Sequence, residues 1–344
     1  MTDTKKVKVD FDDETKYQLI EDNITEDYEE GWDDGTAEGI TEESATVAQP
    51  KYYFINVAKG GKGAATLIEY MGKYYLVDGG PARNYPILKS SIETITGKKG
   101  SKVVLESVVV THNHSDHING ITKLVSKSGF TIKNIYVSKV VVRKESDTWV
   151  VQLQQAYKKK LMRVGKRATV QLAKGTNFSL RLFGPCRLAD YWKKNVDKGS
   201  QDSKTENNLS MTIKVWTPNS AKNLLIVGDM YYMGISTAAD VFTKELPTYK
   251  SLFNGKVKYC LYGHHGARGS KDGVKAEAEY YKQSIKATKY IMSYEPGSSK
   301  TASTNLQWAD SLKIITGILG SGNIKNVASI NTTKKKKWYV DSEI

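Results

Sequence analysis

The sequence predicts an α/β fold in which apolar strands alternate with helices and end in polar, ligand-bearing turns. Three observations carry this. Runs rich in β-branched and aromatic residues, such as Tyr52-Tyr53-Phe54-Ile55-Asn56-Val57, alternate with stretches of helical spacing such as 84–97. Three apolar strands, Val103 to Val110, Asn223 to Val227 and Val257 to Leu261, each run into histidine or aspartate just past their last residue. All five histidines lie in two of those places: Thr111-His112-Asn113-His114-Ser115-Asp116-His117, and His264-His265. Neutral imidazole and carboxylate are ligands for a borderline metal such as zinc. Strands of one sheet bring such tips together, so the pattern points to a metal site.

At 344 residues the chain exceeds the usual length of one domain but fits a single layered unit. Charge divides it. Residues 1–50 carry 16 Asp/Glu against 4 Lys, a net of −12, and too few apolar residues to offset chain entropy; a disordered or loosely docked segment is expected there. Residues 51–344 carry 47 Lys/Arg against 21 Asp/Glu, a net of +26, and form the expected folded domain. Such an excess implies a polyanionic partner, nucleic acid first and anionic polysaccharide second. Two cysteines, Cys186 and Cys260, exclude a disulfide framework. No apolar run reaches the length of a transmembrane helix, and no signal peptide is visible. Cytoplasm is the default expectation, secretion the alternative if a leader has been removed.

From residue 51 the elements follow in order. Tyr52 to Val57, Ala64 to Tyr70 and Lys73 to Val77 read as strands, with Lys59-Gly60-Gly61-Lys62-Gly63 as a plain hairpin turn that lacks P-loop spacing. Asp78, in Asp78-Gly79-Gly80, is placed to brace the histidine loop through hydrogen bonds. A helix over 84–97, the strand Val103 to Val110, a helix from His117 to Lys127 and a strand from Phe130 to Val137 come next. Val150, Leu153, Tyr157, Leu161 and Val164 keep a helical stripe, so the spacing predicts one helix over 146–164. Lys158-Lys159-Lys160 lies off that stripe; with Arg163, Lys166 and Arg167 it reads as a solvated face or as a patch for backbone phosphates. Asn177 to Phe183, Leu209 to Trp216 and Tyr290 to Ser293 are further strands. Helices are expected near 273–286 and 303–314, and a closing strand pair around Val327–Ile330 and Trp338–Val340, with Lys334 to Lys337 in its turn.

His112-Asn113-His114-Ser115-Asp116-His117 resembles the HxHxDH signature of the metallo-β-lactamase superfamily, followed in order by Asp229 and His264-His265. Phe54 to Val57, Leu76 to Gly80, Asn207-Asn208-Leu209-Ser210, Leu225 to Asp229 and Gly263-His264-His265-Gly266 look like the metallo-hydrolase domain of ComEC-type DNA-uptake proteins; phosphorylcholine esterases share several of these features. The resemblance implies an αββα four-layer sandwich of the metallo-β-lactamase fold, with the metal centre at one edge of two sheets. By position it implies that His112 and His114 hold one metal, that Asp116 and His117 hold the other, and that Asp229 bridges them. One of His264 and His265 completes the second metal and its neighbour faces substrate as a proton donor; which is which stays open, since adjacent residues on an extended chain point opposite ways. Most family members place a further histidine for the first metal between the signature and the bridging aspartate. This chain has none there. Relatives often carry a histidine-containing loop where this chain has Ser293-Tyr294-Glu295-Pro296-Gly297. Cys186 lies in the right interval to substitute, but reads better as a small buried thiol.

The expected cofactor is Zn2+, one or two ions, with Mn2+ as alternative. A metal pair about 4 Å apart acidifies bridging water and clamps the attacking and leaving oxygens of a phosphodiester. The expected catalytic residues are Asp116, His264 and His265. Arg268, Ser270 and Lys271 are candidates to hold phosphate oxygens, and Asn208 and Ser210 to position substrate or to satisfy buried backbone. The resulting expectation is a metal-dependent phosphodiesterase or nuclease acting on DNA or another nucleic acid through a metal-activated hydroxide. A hydrolase of another ester, such as phosphorylcholine on a surface polymer, is the alternative, and a binding protein that kept the fold is a third class. The survival of the ligand positions argues against that third class, and the +26 body argues against a lactam or thioester site.

Overall fold

A computed structural model describes residues 17–20, 48–139, 144–165, 168–175, 177–185, 203–218, 222–231, 257–266, 270–295, 308–329 and 337–344. Two mixed sheets stack face to face. The first has eight strands, in the order β1 (Tyr17–Ile20), β7 (Leu161–Val164), β6 (Thr131–Ser138), β5 (Val104–Val110), β4 (Lys73–Val77), β3 (Thr66–Tyr70), β2 (Lys51–Ile55) and β15 (Trp338–Val340). The second has seven, in the order β14 (Ile324–Asn326), β13 (Lys289–Met292), β12 (Tyr259–Leu261), β11 (Leu224–Ile226), β10 (Thr212–Trp216), β9 (Phe178–Phe183) and β8 (Thr169–Gly175).

The period of two along each strand sorts side chains between layers. On β5, Val108 and Val110 enter the cluster formed with α1 (Tyr85–Thr96), α2 (Ser115–Lys127) and α3 (Lys144–Tyr157). Val109 enters the cluster shared with Ile213 and Ile226 of the second sheet. The far face of the second sheet is covered by α5 (Lys271–Tyr280) and α6 (Trp308–Leu319), through Val274, Ala278, Ile315 and Leu319. A short helix, α4 (Ser203–Asn208), precedes β10. The architecture is the four-layer αββα sandwich expected. Among the described residues no helix is long and apolar enough to cross a membrane.

Parallel pairing fixes where the ends of strands meet. In the first sheet β4, β5 and β6 run parallel, and in the second β11, β12 and β13 do. Loops leaving the carboxyl ends of parallel strands emerge on one side, the usual place for a ligand site in such sheets. The junction between β4 and α2 is unusually close. Gly79 N donates to His117 O at 2.9 Å and Gly120 N to Gly80 O at 2.7 Å. A Cβ on Gly120 would stand 1.9 Å from Gly79 O, so only glycine lets this helix lie against that loop.

Three expectations are corrected. The predicted helix over 146–164 stops at Tyr157; Lys158 takes a left-handed φ of 51° and Leu161–Val164 is strand β7, parallel to β6. Leu161 and Val164 are buried as the stripe requires, but inside a sheet, because a short apolar run does not by itself distinguish helix from strand. Arg163 is fully buried, with Nη2 donating to Lys139 O, so it is no surface phosphate contact; Lys166 and Arg167 lie outside the described residues. The expected closing strand pair does not form: Val327–Ser329 is a single 3-10 turn and Trp338–Val340 joins the other sheet beside β2. Of the acidic leader, Tyr17–Ile20 is strand β1, paired in parallel with β7 at the sheet edge; the rest, apart from residues 48–50, lies outside the described residues. The Gly60–Gly63 turn joins the antiparallel neighbours β2 and β3, as expected.

Because Gly120 sets the depth of the histidine helix, Gly120→Ala is expected to destabilise the fold by roughly 2–3 kcal/mol or more. Gly317→Ala, on an open face of α6 with nothing within 4 Å of the new carbon, is expected to stabilise by about 0.5–1 kcal/mol. Urea unfolding of both variants checks the contrast; parental stability in Gly120→Ala would contradict it.

Candidate metal centre

The histidine loop is built from the end of β5. Thr111 N donates to Asp78 Oδ1 at 2.8 Å, and Thr111 Oγ1 donates to Asp78 Oδ2 at 2.9 Å. Met211 N donates to Thr111 O at 2.7 Å, tying the loop to the second sheet. The chain then turns into α2 with His114 as its extended N-cap residue, so Asp116 and His117 sit in the first turn of the helix while His112 and His114 precede it. All four of these side chains are buried.

The opposing half comes from β11 and β12. Gly228, with φ 61°, turns the chain after β11; Ser210 Oγ accepts from Asp229 N at 3.1 Å and donates to Asn207 O at 2.7 Å. His264 and His265 both adopt left-handed φ, 46° and 61°, between Gly263 and Gly266. They are not on an extended chain, so a tight turn rather than strand alternation separates their directions. His265 Nε2 faces the centre, and its Nδ1 lies 2.9 Å from Ser293 Oγ after β13. His264 Nε2 lies 3.4 Å from the Tyr231 hydroxyl instead.

Four groups from three chain segments therefore converge: Asp116, His117, Asp229 and His265 offer donor atoms all within 4.8 Å of one another. His117 Nε2 is 3.1 Å from Asp229 Oδ1 and 3.2 Å from His265 Nε2; His265 Nε2 is 3.1 Å from Asp116 Oδ2. Donors bonded to one zinc at about 2.0–2.1 Å stand roughly 3.3 Å apart in a tetrahedral arrangement. These separations fit a shared divalent cation. Beside them, His112 Nε2 lies 3.1 Å from His114 Nδ1 and 3.7 Å from Asp229 Oδ2, and that buried Oδ2 has no hydrogen-bond partner. His117 Nδ1 faces Asp78 Oδ2 at 2.8 Å. Asp78 thus lies against the far side of a ring whose other nitrogen points inward, the place from which an outer carboxylate orients a ligand.

The electrostatics follow from this crowding. Burial works against both carboxylates, but the Lys62 ammonium and His265 hold Asp116 well below the usual range, and His265, His117 and His112 do the same for Asp229. Burial also works against charge on His117 and His265. For His117, Asp229 and Asp78 outweigh it and raise the pKa well above the ordinary value; for His265, Asp229 and Asp116 raise it. His112 is pushed well below by burial and then by the charge on His117. Burial holds His264 down to about 3, so its ring is neutral at physiological pH.

The remaining expected site residues divide. Ser210 supports the Asp229 turn, and Asn208 Oδ1 accepts from Tyr231 N at 2.9 Å, so both meet backbone. Ser270 Oγ accepts from Gly273 N at 3.2 Å and caps α5; it and Lys271 are exposed. Arg268 and Cys186 lie outside the described residues. Residues that sequence reasoning missed are Lys62, Tyr231 and Glu206. Lys62 Nζ lies 3.0 Å from Asp116 Oδ2. Its loop joins the antiparallel neighbours β2 and β3, as a hairpin does, and is also held from outside: Lys62 bridges Tyr294, Gly63 N donates to Ser293 O, and Arg83 Nη2 donates to Gly60 O at 2.9 Å. The run of glycines and lysines was the available signal, but two of its partners, Ser293 and Tyr294, are more than two hundred residues away.

The carboxylates beside His117 and His265 raise the affinity of this pair for protons, and a cation binding there competes with those protons. Zinc binding at pH 7 is therefore expected to release roughly one to two protons, with affinity falling as pH falls. Calorimetry in two buffers of different ionisation enthalpy reads this directly; identical heats would contradict it.

No curated protein sequence matches the chain. Residues 58–200 match the family model described as the metallo-beta-lactamase superfamily. Among solved structures, the metallo-beta-lactamase fold protein YhfI from Bacillus subtilis is similar at 13% identity and a TM-score of 0.46, the match covering 85% of this chain and 98% of that one. Human tRNase Z, short form, is similar at 12% identity and a TM-score of 0.40, covering 71% of this chain and 92% of its own. A diphosphatase of the PhnP family is similar at 10% identity and a TM-score of 0.38, over 72% and 87%. With every one of these scores below 0.5, no substrate is carried across from them. The matched stretch holds His112, His114, Asp116 and His117, and the stacked sheets with helices on both outer faces form an α/β sandwich consistent with the metallo-beta-lactamase fold.

Proposed function

We propose that the chain is a metal-dependent phosphodiesterase acting on nucleic acid, DNA first, as the resemblance to ComEC-type domains implies. The observation that carries this reading is a juxtaposition. Donors from three distant segments converge on one buried point, and the ammonium of Lys62 stands beside them, 3.0 Å from Asp116 Oδ2. The donor set fits a divalent cation of the zinc or manganese kind, and the orphaned Asp229 Oδ2 supports a second place beside the first. Asp116, His117, Asp229 and His265 would hold one ion; His112, His114 and Asp229 the other. Bound there, such ions supply Lewis acidity toward a phosphoryl oxygen and lower the pKa of water.

The chain's own groups do the rest. Lys62, partly exposed on a loop fastened by Arg83 and Tyr294, is placed to contact a non-bridging phosphate oxygen where negative charge accumulates. His264, neutral and beside the Tyr231 hydroxyl, offers a hydrogen bond to a substrate oxygen rather than an imidazolium proton. Lys271 and Arg268, following the histidine turn, are the candidates for the flanking strand. The net charge of +26 outside the leader supplies sequence-independent attraction to a phosphate backbone.

Cleavage of single- and double-stranded DNA, RNA and a small phosphodiester, with added Zn2+ or Mn2+, tests the reading. Nucleic acid is expected to be cut and the Asp116→Ala, His117→Ala double variant to be inactive. Lys62→Ala is expected to lower kcat/KM at least about tenfold. The dependence on salt should be steep, with log K falling by roughly 0.9 per phosphate contact for each unit of log[salt]. Cleavage of the small ester alone, without that salt dependence, would favour a phosphorylcholine-type hydrolase; parental activity in the double variant would remove the site from the reaction.

A further inference from the structure

We propose that Glu206 is the carboxylate that positions His114 for the first metal place. The inference rests on the metal reading above and deepens it. The other three inward-facing rings have an oxygen behind their outward nitrogen: Thr111 Oγ1 is 3.3 Å from His112 Nδ1, Asp78 Oδ2 is 2.8 Å from His117 Nδ1, and Ser293 Oγ is 2.9 Å from His265 Nδ1. His114 is turned the other way round. Its Nδ1 meets His112 Nε2 at 3.1 Å, so its Nε2 is the outward atom, and Glu206 Oε2 stands 3.5 Å from it. An outward carboxylate fixes the ring's tautomer and direction, leaving the inward nitrogen bare to bond a cation.

Glu206 has little other reason to be where it is. It lies in α4, only 1% exposed, and a buried carboxylate is costly without a compensating charge or hydrogen bonds. Ser146 Oγ, from α3, donates to its Oε2 at 2.8 Å, and its Oε1 has no hydrogen-bond partner. His114 Nε2 likewise has none, the separation from Glu206 being about half an ångström longer than an ordinary N–H···O bond. The orphaned imidazole nitrogen faces a buried carboxylate oxygen, and is satisfied once the ring donates from Nε2 to Glu206 Oε2. Glu206 also lies between His117 and Asp229, the interval in which no histidine exists. The first metal place is thereby supported from outside, where the chain offers no third imidazole.

Metal counting tests this without reference to any substrate. Zinc and cobalt uptake by the full chain, followed by equilibrium dialysis and elemental analysis, is expected to give two ions for the parent. Glu206→Ala is expected to keep one ion at parental affinity and to bind the second roughly 10–100-fold more weakly. Glu206→Gln, whose amide oxygen still accepts from Nε2–H, should recover most of that loss. Nitrogen-15 NMR of the histidines in the metal-free parent should find His114 as the Nε2–H tautomer, a readout available even if a variant fails to fold. Parental affinity for both ions in Glu206→Ala, or a Nδ1–H tautomer, would overturn the proposal. Complete loss of one ion in both variants would overturn it in favour of direct ligation by Glu206. A parent that binds no metal would instead bring down the metal reading itself.

Discussion

The structure depends on keeping two carboxylates dry. Asp116 and Asp229 are buried at the junction of two sheets, where an uncompensated negative charge costs several kcal/mol. What makes the arrangement tolerable is the ring of positive and donor groups around them: His117, His265 and Lys62. Around the rings a further layer of oxygens fixes each direction. The parallel strands, the glycine-thin contact between α2 and the loop after β4, and the strained turn at His264-His265 all serve this convergence. A fold that let any one of these loops drift would leave charge stranded in an apolar setting.

That constraint also explains why the two histidines of the downstream pair behave so differently. His265 shares its surroundings with two carboxylates, and its affinity for a proton, and by extension for a cation, is raised. His264 is also buried but meets a tyrosine hydroxyl, and burial is the largest of the influences that hold it in the neutral form. Adjacent residues of the same type are thus given separate chemistry by a left-handed turn that points them at different neighbours. The Lys62 ammonium adds to the asymmetry, since it favours the charged form of Asp116 and disfavours that of His264.

Much of this was legible in the sequence because it is local. The spacing within His112 to His117, the apolar run before it and the strand tips at Asp229 and His264-His265 are each contained in a few residues, and the α/β alternation followed from the same scale of pattern. The failures share a cause. Leu161 and Val164 continue a helical stripe by coincidence, and only pairing with β6 makes them a strand. Trp338–Val340 has the content of a strand, but which sheet it joins is decided by β2, nearly three hundred residues earlier. Lys62 and Glu206 carry no motif of their own. One reaches Asp116 because Tyr294 and Arg83 fasten its loop, and the other reaches His114 because α3 and α4 are brought side by side.

The most direct measurement is anomalous diffraction at the zinc edge from crystals grown with the metal. A peak bonded to His117 Nε2, His265 Nε2 and the Asp229 carboxylate at about 2.0–2.2 Å is expected. Zinc found only on the protein surface, with those rings and carboxylates holding their places around water, would contradict it.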